Sequence, residues 1–229
     1  MTRTALKDRK LPSYTKGEEI FNMVSHIVGG ALGVAALALC VVFSFLDHDA
    51  YKVVGSFIYG FSVIILYTIS SVYHGITPKA DIAKKVMQIV DHCVIFVLIA
   101  GTYTPITLSA MREINPVVAW TVFGFVWGAS ALGIVLNAID IKKYSKFSMI
   151  CYLVIGWCAI FTLKTLITAI TPIGFLYIIL GGVSYSIGAV LYSVGHKKGL
   201  RYMHSVFHIF VVFGTVLHFF GVFFYVVMR

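Results

Sequence analysis

Four ionisable residues lie far apart in the sequence, yet each stands at the same end of a long apolar segment: His74, Asp91, His204 and His208. Imidazole and carboxylate groups are costly in hydrocarbon, and inside a membrane they normally face one another, an ion or water. If the apolar segments cross a bilayer, the four side chains reach one depth on one side. This arrangement predicts a buried metal site.

The spacing indicates what kind of metal site this would be. His204 and His208 are four residues apart, so on a helix they share a face with their Cβ atoms about 5–6 Å apart. With His74 they make three nitrogen ligands and leave the fourth tetrahedral position to water, which is typical of a catalytic zinc ion (Zn2+). Asp91, acidic and inside an apolar segment, would be satisfied by that water and could act as general base.

Other polar residues are predicted at the same end of the molecule. Ser70 lies one helical turn before His74, where it could hydrogen-bond the substrate or the polarised water. Glu19, Asn22 and His26 share one helix face and are expected either to touch the site or to brace the residues that form it. For any single histidine the alternative is an ordinary hydrogen bond to a neighbour, and for the whole set it is a proton or ion relay.

The composition defines the class of protein. Of 229 residues, 59% are hydrophobic and only 12% are charged, and the mean hydropathy is +0.93, which excludes an ordinary soluble domain. The net charge of +9 does not indicate a nucleic acid partner, because the basic residues form short clusters between apolar stretches. The four cysteines fall inside apolar segments and are expected to be free thiols.

The elements that position the site are predicted to be seven membrane-spanning helices, since about 20 apolar residues cross the hydrocarbon core. The predicted spans are 22–46, 53–74, 86–108, 117–139, 148–168, 173–195 and 204–227. We therefore expect an all-α, seven-helix, multi-pass protein of the cell membrane, with a cytoplasmic segment over 1–21 and one transmembrane domain over 22–229. Within the spans, Gly29 and Gly33, and likewise Gly124 and Gly128, have the four-residue spacing that permits close helix packing.

The orientation follows from the basic residues. Most of the 18 Lys and Arg residues fall on the side that carries the N-terminus and the loops after the second, fourth and sixth spans. Positive charge concentrates on the cytoplasmic side of membrane proteins. The N-terminus is therefore predicted to be cytoplasmic and the C-terminus extracellular, which places the candidate site in the inner leaflet.

The order and spacing of these motifs resemble the hemolysin III branch of the progestin and adipoQ receptor superfamily, over nearly the whole chain. The matching pieces run in this order: Glu19-x2-Asn22-x3-His26, Ser70-x3-His74, Asp91 within DHCVIFVLIAGTYTP, and His204-x3-His208. The resemblance implies a seven-helix bundle with an intramembrane zinc ion on the cytoplasmic side.

It also implies roles for individual residues. His74, His204 and His208 would be the zinc ligands, Asp91 would hold the metal-bound water, and Ser70 would assist. Adiponectin-receptor relatives are associated with ceramidase-like hydrolysis of lipid amides, and short bacterial-type members are linked to membrane lipid homeostasis.

The favoured hypothesis is therefore a zinc-dependent hydrolase that acts on an amide or ester of a membrane lipid in the inner leaflet. Three alternatives stay open: a pore-forming hemolysin, a receptor or membrane-state sensor with structural zinc, and an ion transporter that uses Asp91 and the histidines as a relay. The sequence leaves the lipid substrate and the oligomeric state open.

Overall fold

A computed structural model describes residues 4–77 and 79–229, with only the backbone described for His196. Residues 1–3 of the predicted N-terminal segment and Pro78 lie outside the described residues. Within the described part every regular element is helical: α1 Lys16–Leu46, α2 Ala50–Gly75, α3 Asp81–Pro105, α4 Arg112–Ile114, α5 Pro116–Trp157, α6 Leu163–Lys198 and α7 Met203–Val222. Shorter 3-10 turns cover Leu6–Asp8 and Cys158–Thr162, and π-helical turns cover Ile106–Met111 and Phe223–Val227. This confirms the all-α prediction, and all four cysteines are free as expected.

Helix α1 begins earlier than the predicted span because its first turn is capped. The Thr15 side chain accepts a hydrogen bond from the Glu18 backbone N–H, and the Glu18 carboxylate accepts one from the Thr15 backbone N–H. Such a capping box satisfies backbone groups that would otherwise be unpaired at the helix start. Residues 16–21, which were predicted to lie outside the bundle, therefore belong to α1.

Among residues 4–77 and 79–229, five helical stretches are long and apolar enough to cross a membrane: 16–46, 50–75, 81–114, 116–195 and 203–227. The sequence predicted seven spans, and the difference lies entirely in the stretch Pro116–Gly195, which is 80 residues long. Its helical backbone is broken at Asp140 (φ −160°, ψ 94°) and at Thr171 (φ 64°, ψ 163°). Thr171 precedes Pro172, and a residue before proline is disfavoured in helical conformation. Both breaks fall between predicted spans.

The helices pack so that the ends carrying the candidate residues come together. Helix α1 packs along α2 and also contacts α7, while α2 packs on α3 and α6 on α7. Since α2 ends where α3 and α7 begin, the C-terminal turn of α2 lies beside the first turns of α1, α3 and α7. One end of the bundle therefore collects side chains from four helices.

The two glycine pairs behave differently. A Cβ atom at Gly29 would lie 2.5 Å from the Tyr67 ring, and one at Gly33 would lie 2.9 Å from Val63, so both glycines permit close packing of α1 on α2. A Cβ at Gly124 or Gly128 would meet nothing within 4 Å. Among the described residues of this chain, nothing packs closely on the second pair, because spacing alone cannot tell whether a helix face has a neighbour.

Candidate metal centre

Three histidines from two helices converge at this end of the bundle. His74 occupies the last turn of α2, while His204 and His208 occupy the first two turns of α7. Their Nε2 atoms face one another, with 3.3 Å between His74 and His204 and 3.0 Å between His204 and His208. One ligand atom from each of the three lies within 4.8 Å of the others. The sequence predicted this set, and its geometry could hold a metal ion.

The hydrogen bonding of His74 supports this interpretation. Its Nδ1 lies 2.6 Å from Oε2 of Glu19. A carboxylate can only accept a hydrogen bond, so Nδ1 carries a proton, and in the neutral imidazole the lone pair is then on Nε2, which faces the His204 ring. A metal-ligating histidine is normally held this way by a carboxylate on its second nitrogen. Three imidazole nitrogens facing one another, with a carboxylate behind one of them, fit zinc.

Lys84 fixes the Glu19 carboxylate from the other side. Its ammonium donates a short hydrogen bond to Oε1 of Glu19 and another, of 2.9 Å, to the carbonyl of Ile76. The Lys84 side chain is only 3% exposed and that of Glu19 is 15% exposed, so the lysine end of this ion pair is buried. The sequence interpretation treated Lys84 only as a topology signal and missed this role, because no spacing pattern connects it to Glu19.

Asp91 and Ser70 lie close to one of the three histidines, His74. Asp91 is buried and interacts with the Ser70 hydroxyl and with the His92 and His74 imidazoles. Its Oδ2 atom is 3.8 Å from Nδ1 of His92. Among the described residues, Asp91 is not part of the group whose ligand atoms lie within 4.8 Å of one another. Asp91 therefore lies beside the group of three histidines and not within it.

Asn22 and His26 also reach the site, from the face of α1 that the sequence predicted. The Asn22 amide oxygen accepts a hydrogen bond of 2.7 Å from the Ser205 hydroxyl on α7. The His26 ring stacks on the His208 ring, with centroids 3.7 Å apart and an angle of 14° between the planes. The three α1 residues therefore have separate contacts: Glu19 with His74, Asn22 with Ser205, and His26 with His208.

Tyr14 covers the histidines from the N-terminal side. Its ring stacks on His204 with a centroid distance of 5.0 Å and lies 5.9 Å from the His74 ring. Burial raises the pKa of the Tyr14 phenol far above its usual range. The sequence interpretation regarded the tyrosines as mostly interfacial or packing residues, and it missed Tyr14 because nothing local in the sequence connects it with α7.

The segment before Tyr14 is attached to the bundle at several points. The Thr4 N–H donates to the Asp140 carboxylate at 2.8 Å, and the Arg9 guanidinium donates to the Ile139 carbonyl at 3.2 Å. The Lys85 ammonium donates to the carbonyl of Lys7 at 2.9 Å. The described part of the N-terminal segment therefore crosses the end of the bundle that holds the three histidines.

The chain is similar in sequence to one protein family and to several known proteins. Residues 14–219 match the family described as "Haemolysin-III related". The chain is 35% identical over 214 residues to the "Hemolysin-3 homolog" of Bacillus subtilis, covering 93% of this chain and 97% of that protein. It is 35% identical over 210 residues to "Hemolysin-3" of Bacillus cereus, covering 91% and 92% respectively. It is also 25% identical over 211 residues to the human "Monocyte to macrophage differentiation factor", covering 88% and 79%. The matched region contains every residue of the candidate metal centre.

Proposed function

The chain belongs to the haemolysin-III related family of membrane proteins, and from that premise we propose that it is a zinc-dependent hydrolase of a lipid amide or ester. The observation that carries the proposal is the convergence of the His74, His204 and His208 Nε2 atoms, with Glu19 behind His74 and Asp91 and Ser70 beside it. The substrate is a bilayer lipid and the role is in membrane lipid homeostasis.

We also propose that the bundle crosses the membrane seven times, with a cytoplasmic N-terminus. The stretch Pro116–Gly195 supports this, because 80 helical residues would extend about 120 Å and the hydrocarbon core is about 30 Å thick. The helical breaks at Asp140 and Thr171 divide this stretch into pieces that can each cross separately. With the basic loops inside, the three histidines lie in the inner leaflet.

In the proposed reaction the three histidines would hold zinc, and Glu19 would keep His74 in the tautomer that can bind it. Zinc, when bound, supplies a Lewis acid that activates water and polarises a carbonyl group. Asp91 accepts the proton from the attacking water and returns it to the leaving amine or alkoxide as the C–N or C–O bond breaks. Ser70 orients the Asp91 carboxylate through the contact between the two side chains.

The proposal is tested by measuring bound metal and lipid turnover on the same samples. Purified protein in nanodiscs is expected to hold about one zinc ion per chain and to release fatty acid from a ceramide or phospholipid. His208→Ala should lose both properties, whereas Asp91→Asn should keep the metal and lose turnover. His218→Gln is the matched control, because His218 lies on the same helix as His208 but bonds to Ile178 away from the site.

Two results would contradict the hydrolase. One is full turnover in protein stripped of metal, and the other is full turnover in Asp91→Asn. Zinc binding without any lipid turnover would instead favour a structural metal in a sensor or receptor.

The names of the two Bacillus relatives support a second candidate, lysis of membranes. The two functions differ in their dependence on the site. Leakage of dye from liposomes that persists in His208→Ala would favour a pore, whereas hydrolysis requires His208.

A further inference from the structure

Residues 4–15, which we call the N-terminal strap, cross the end of the bundle that holds the candidate metal centre. Near its C-terminal end the strap carries Tyr14, whose ring stacks on the His204 ring with centroids 5.0 Å apart. Directly after Tyr14, the capping box of Thr15 and Glu18 fixes the strap to the start of α1. This end of the strap is therefore attached to the bundle at the place where its side chain covers a histidine.

The other end of the strap is held at the helical break in α5. A helix that ends leaves its last carbonyl groups without helical partners. Asp140 is the non-helical residue at this break, and the Ile139 carbonyl just before it accepts a hydrogen bond of 3.2 Å from the Arg9 guanidinium. Arg9 is 5% exposed, and the Lys85 ammonium on α3 donates to the Lys7 carbonyl at 2.9 Å. This part of the strap therefore lies against the bundle.

The Asp140 carboxylate uses one oxygen for the helix and the other for the strap. Its Oδ1 accepts hydrogen bonds from the N–H groups of Lys142 and Lys143 at 3.1 and 3.2 Å, which caps the second half of α5. Its Oδ2 accepts a hydrogen bond of 2.8 Å from the Thr4 N–H. Because the cap and the strap bind different oxygens, the strap can leave Asp140 without uncapping the helix.

A metal ion has to pass this end of the bundle to reach the histidines. His74 and His208 are only 3% and 2% exposed, and the Tyr14 ring lies over His204. Transfer of an ion through hydrocarbon carries a large desolvation penalty. The ion must therefore enter from the aqueous phase at the bundle end that the strap crosses, which is the cytoplasmic end in the proposed orientation.

We propose that the N-terminal strap is a gate between the aqueous phase and the three histidines, and that its contacts with the break in α5 are the latch. A divalent cation is the solute that the open gate admits. The inference rests on the proposed zinc centre and adds the route by which the metal reaches it. A gate changes the rates of metal uptake and release by the same factor and leaves the Kd unchanged, because the open and closed forms bind the metal equally well.

Two substitutions open the latch without touching a histidine. Asp140→Asn keeps an oxygen for the helix cap but replaces Oδ2 by an amide nitrogen, which donates and cannot accept from the Thr4 N–H. Arg9→Met keeps a long buried side chain but has no donor for the carbonyl at the break. Asp49→Asn is the matched control, because Asp49 caps α2 through its own carboxylate at the opposite end of that helix from the histidines.

The first assay measures zinc uptake by metal-free protein and zinc release to a fluorescent chelator, both in nanodiscs. Each rate should rise about fivefold in Asp140→Asn and in Arg9→Met, the effect expected from the loss of one hydrogen bond in the closed form. The Kd should stay the same, and Asp49→Asn should change neither rate. Unchanged rates in the latch variants would overturn the gate. Faster release with unchanged uptake would overturn it as well, because the strap would then only stabilise the bound metal.

The second assay tests the gate without any metal. His204→Cys places a thiol opposite the Tyr14 ring, and a charged methanethiosulfonate reagent can reach this thiol only from water. Modification at position 204, followed by peptide mass spectrometry, should be about fivefold faster when Asp140→Asn is added, for the same reason, and unchanged when Asp49→Asn is added. Equal rates in the two double variants would overturn the gate, whether or not the protein binds zinc.

Together the assays separate the gate from the hydrolase. Zinc exchange and thiol modification that do not respond to the latch, with lipid turnover intact, would refute the gate and leave the hydrolase. Thiol modification that depends on the latch, in a protein that binds no zinc, would refute the proposed metal centre and leave the strap as a gate over the histidines.

Discussion

Replacement of Glu19 by glutamine should weaken zinc binding without removing a ligand. The Glu19 carboxylate holds the His74 Nδ1–H at 2.6 Å and also pairs with the buried Lys84 ammonium. An amide at this position can hydrogen-bond His74 but lacks the charge that increases the basicity of its ring. Loss of such a supporting carboxylate typically costs 10–100-fold in metal affinity, which corresponds to about 1.4–2.7 kcal/mol.

The same substitution has a second effect that must be separated from the first. Glu19→Gln leaves the Lys84 ammonium buried without its carboxylate, and breaking a buried pair costs about 3–5 kcal/mol of stability when both groups are fully buried. The Glu19 side chain is 15% exposed, so the loss should be smaller than this range. The double variant Glu19→Gln/Lys84→Met removes the unpaired charge, and we expect it to recover thermal stability but not zinc affinity.

The measurement is a competition titration with a chelator of known zinc affinity, on detergent-purified protein, together with thermal unfolding of the metal-free forms. Glu19→Gln, Lys84→Met and the double variant form a cycle that isolates the coupling between Glu19 and Lys84. If the double variant regains both stability and affinity, Glu19 acts only by keeping Lys84 buried, and the argument that it orients His74 is refuted.

Other predictions concern the access of a chelator to the zinc site, the packing of two glycines, and the stabilisation of the fold by zinc. Tyr14→Ala should speed extraction of zinc by a chelator several-fold, because the Tyr14 ring covers His204 and lies near His74. Tyr51→Ala, at the opposite end of α2, is the control and should not change the extraction rate. Equal rates in the two variants would mean that Tyr14 does not shield the site. Gly29→Ala should lower the unfolding temperature, since its Cβ would lie 2.5 Å from the Tyr67 ring and overpacking costs about 1–3 kcal/mol. Gly124→Ala should leave that temperature unchanged or raise it slightly, because its Cβ meets nothing and alanine favours the helix by up to about 1 kcal/mol. Zinc at 100 times its Kd should stabilise the protein by about 2.7 kcal/mol, and an unfolding temperature that does not respond to zinc would argue against a folded metal site.

Much of the candidate site follows from local sequence. The pairing of His204 with His208 depends only on the helical repeat, and the hydropathy pattern places His74 at a helix end. The periodicity of Glu19, Asn22 and His26 predicts a shared face of α1 for the same reason. These are properties of short segments, so the sequence is sufficient to predict them.

The contacts of that α1 face could not be read from the sequence. Glu19 meets His74 on α2 and His26 meets His208 on α7, and which helix packs on which side of α1 is a matter of tertiary structure. The buried position of Lys84 and the stacking of Tyr14 on His204 have the same origin. Each of these contacts joins residues separated by many positions, and no periodic pattern records them.

The sequence by itself determined that this is a helical membrane protein with three histidines at one end of its helices, because hydropathy and helical repeat act over a few turns. The tertiary structure decided how that end is built: a carboxylate and a buried lysine lie behind His74, a tyrosine covers His204, and a fourth imidazole, that of His26, stacks on His208. These arrangements depend on packing between distant helices, which fixes distances and hydrogen-bond partners that the linear order of residues does not encode.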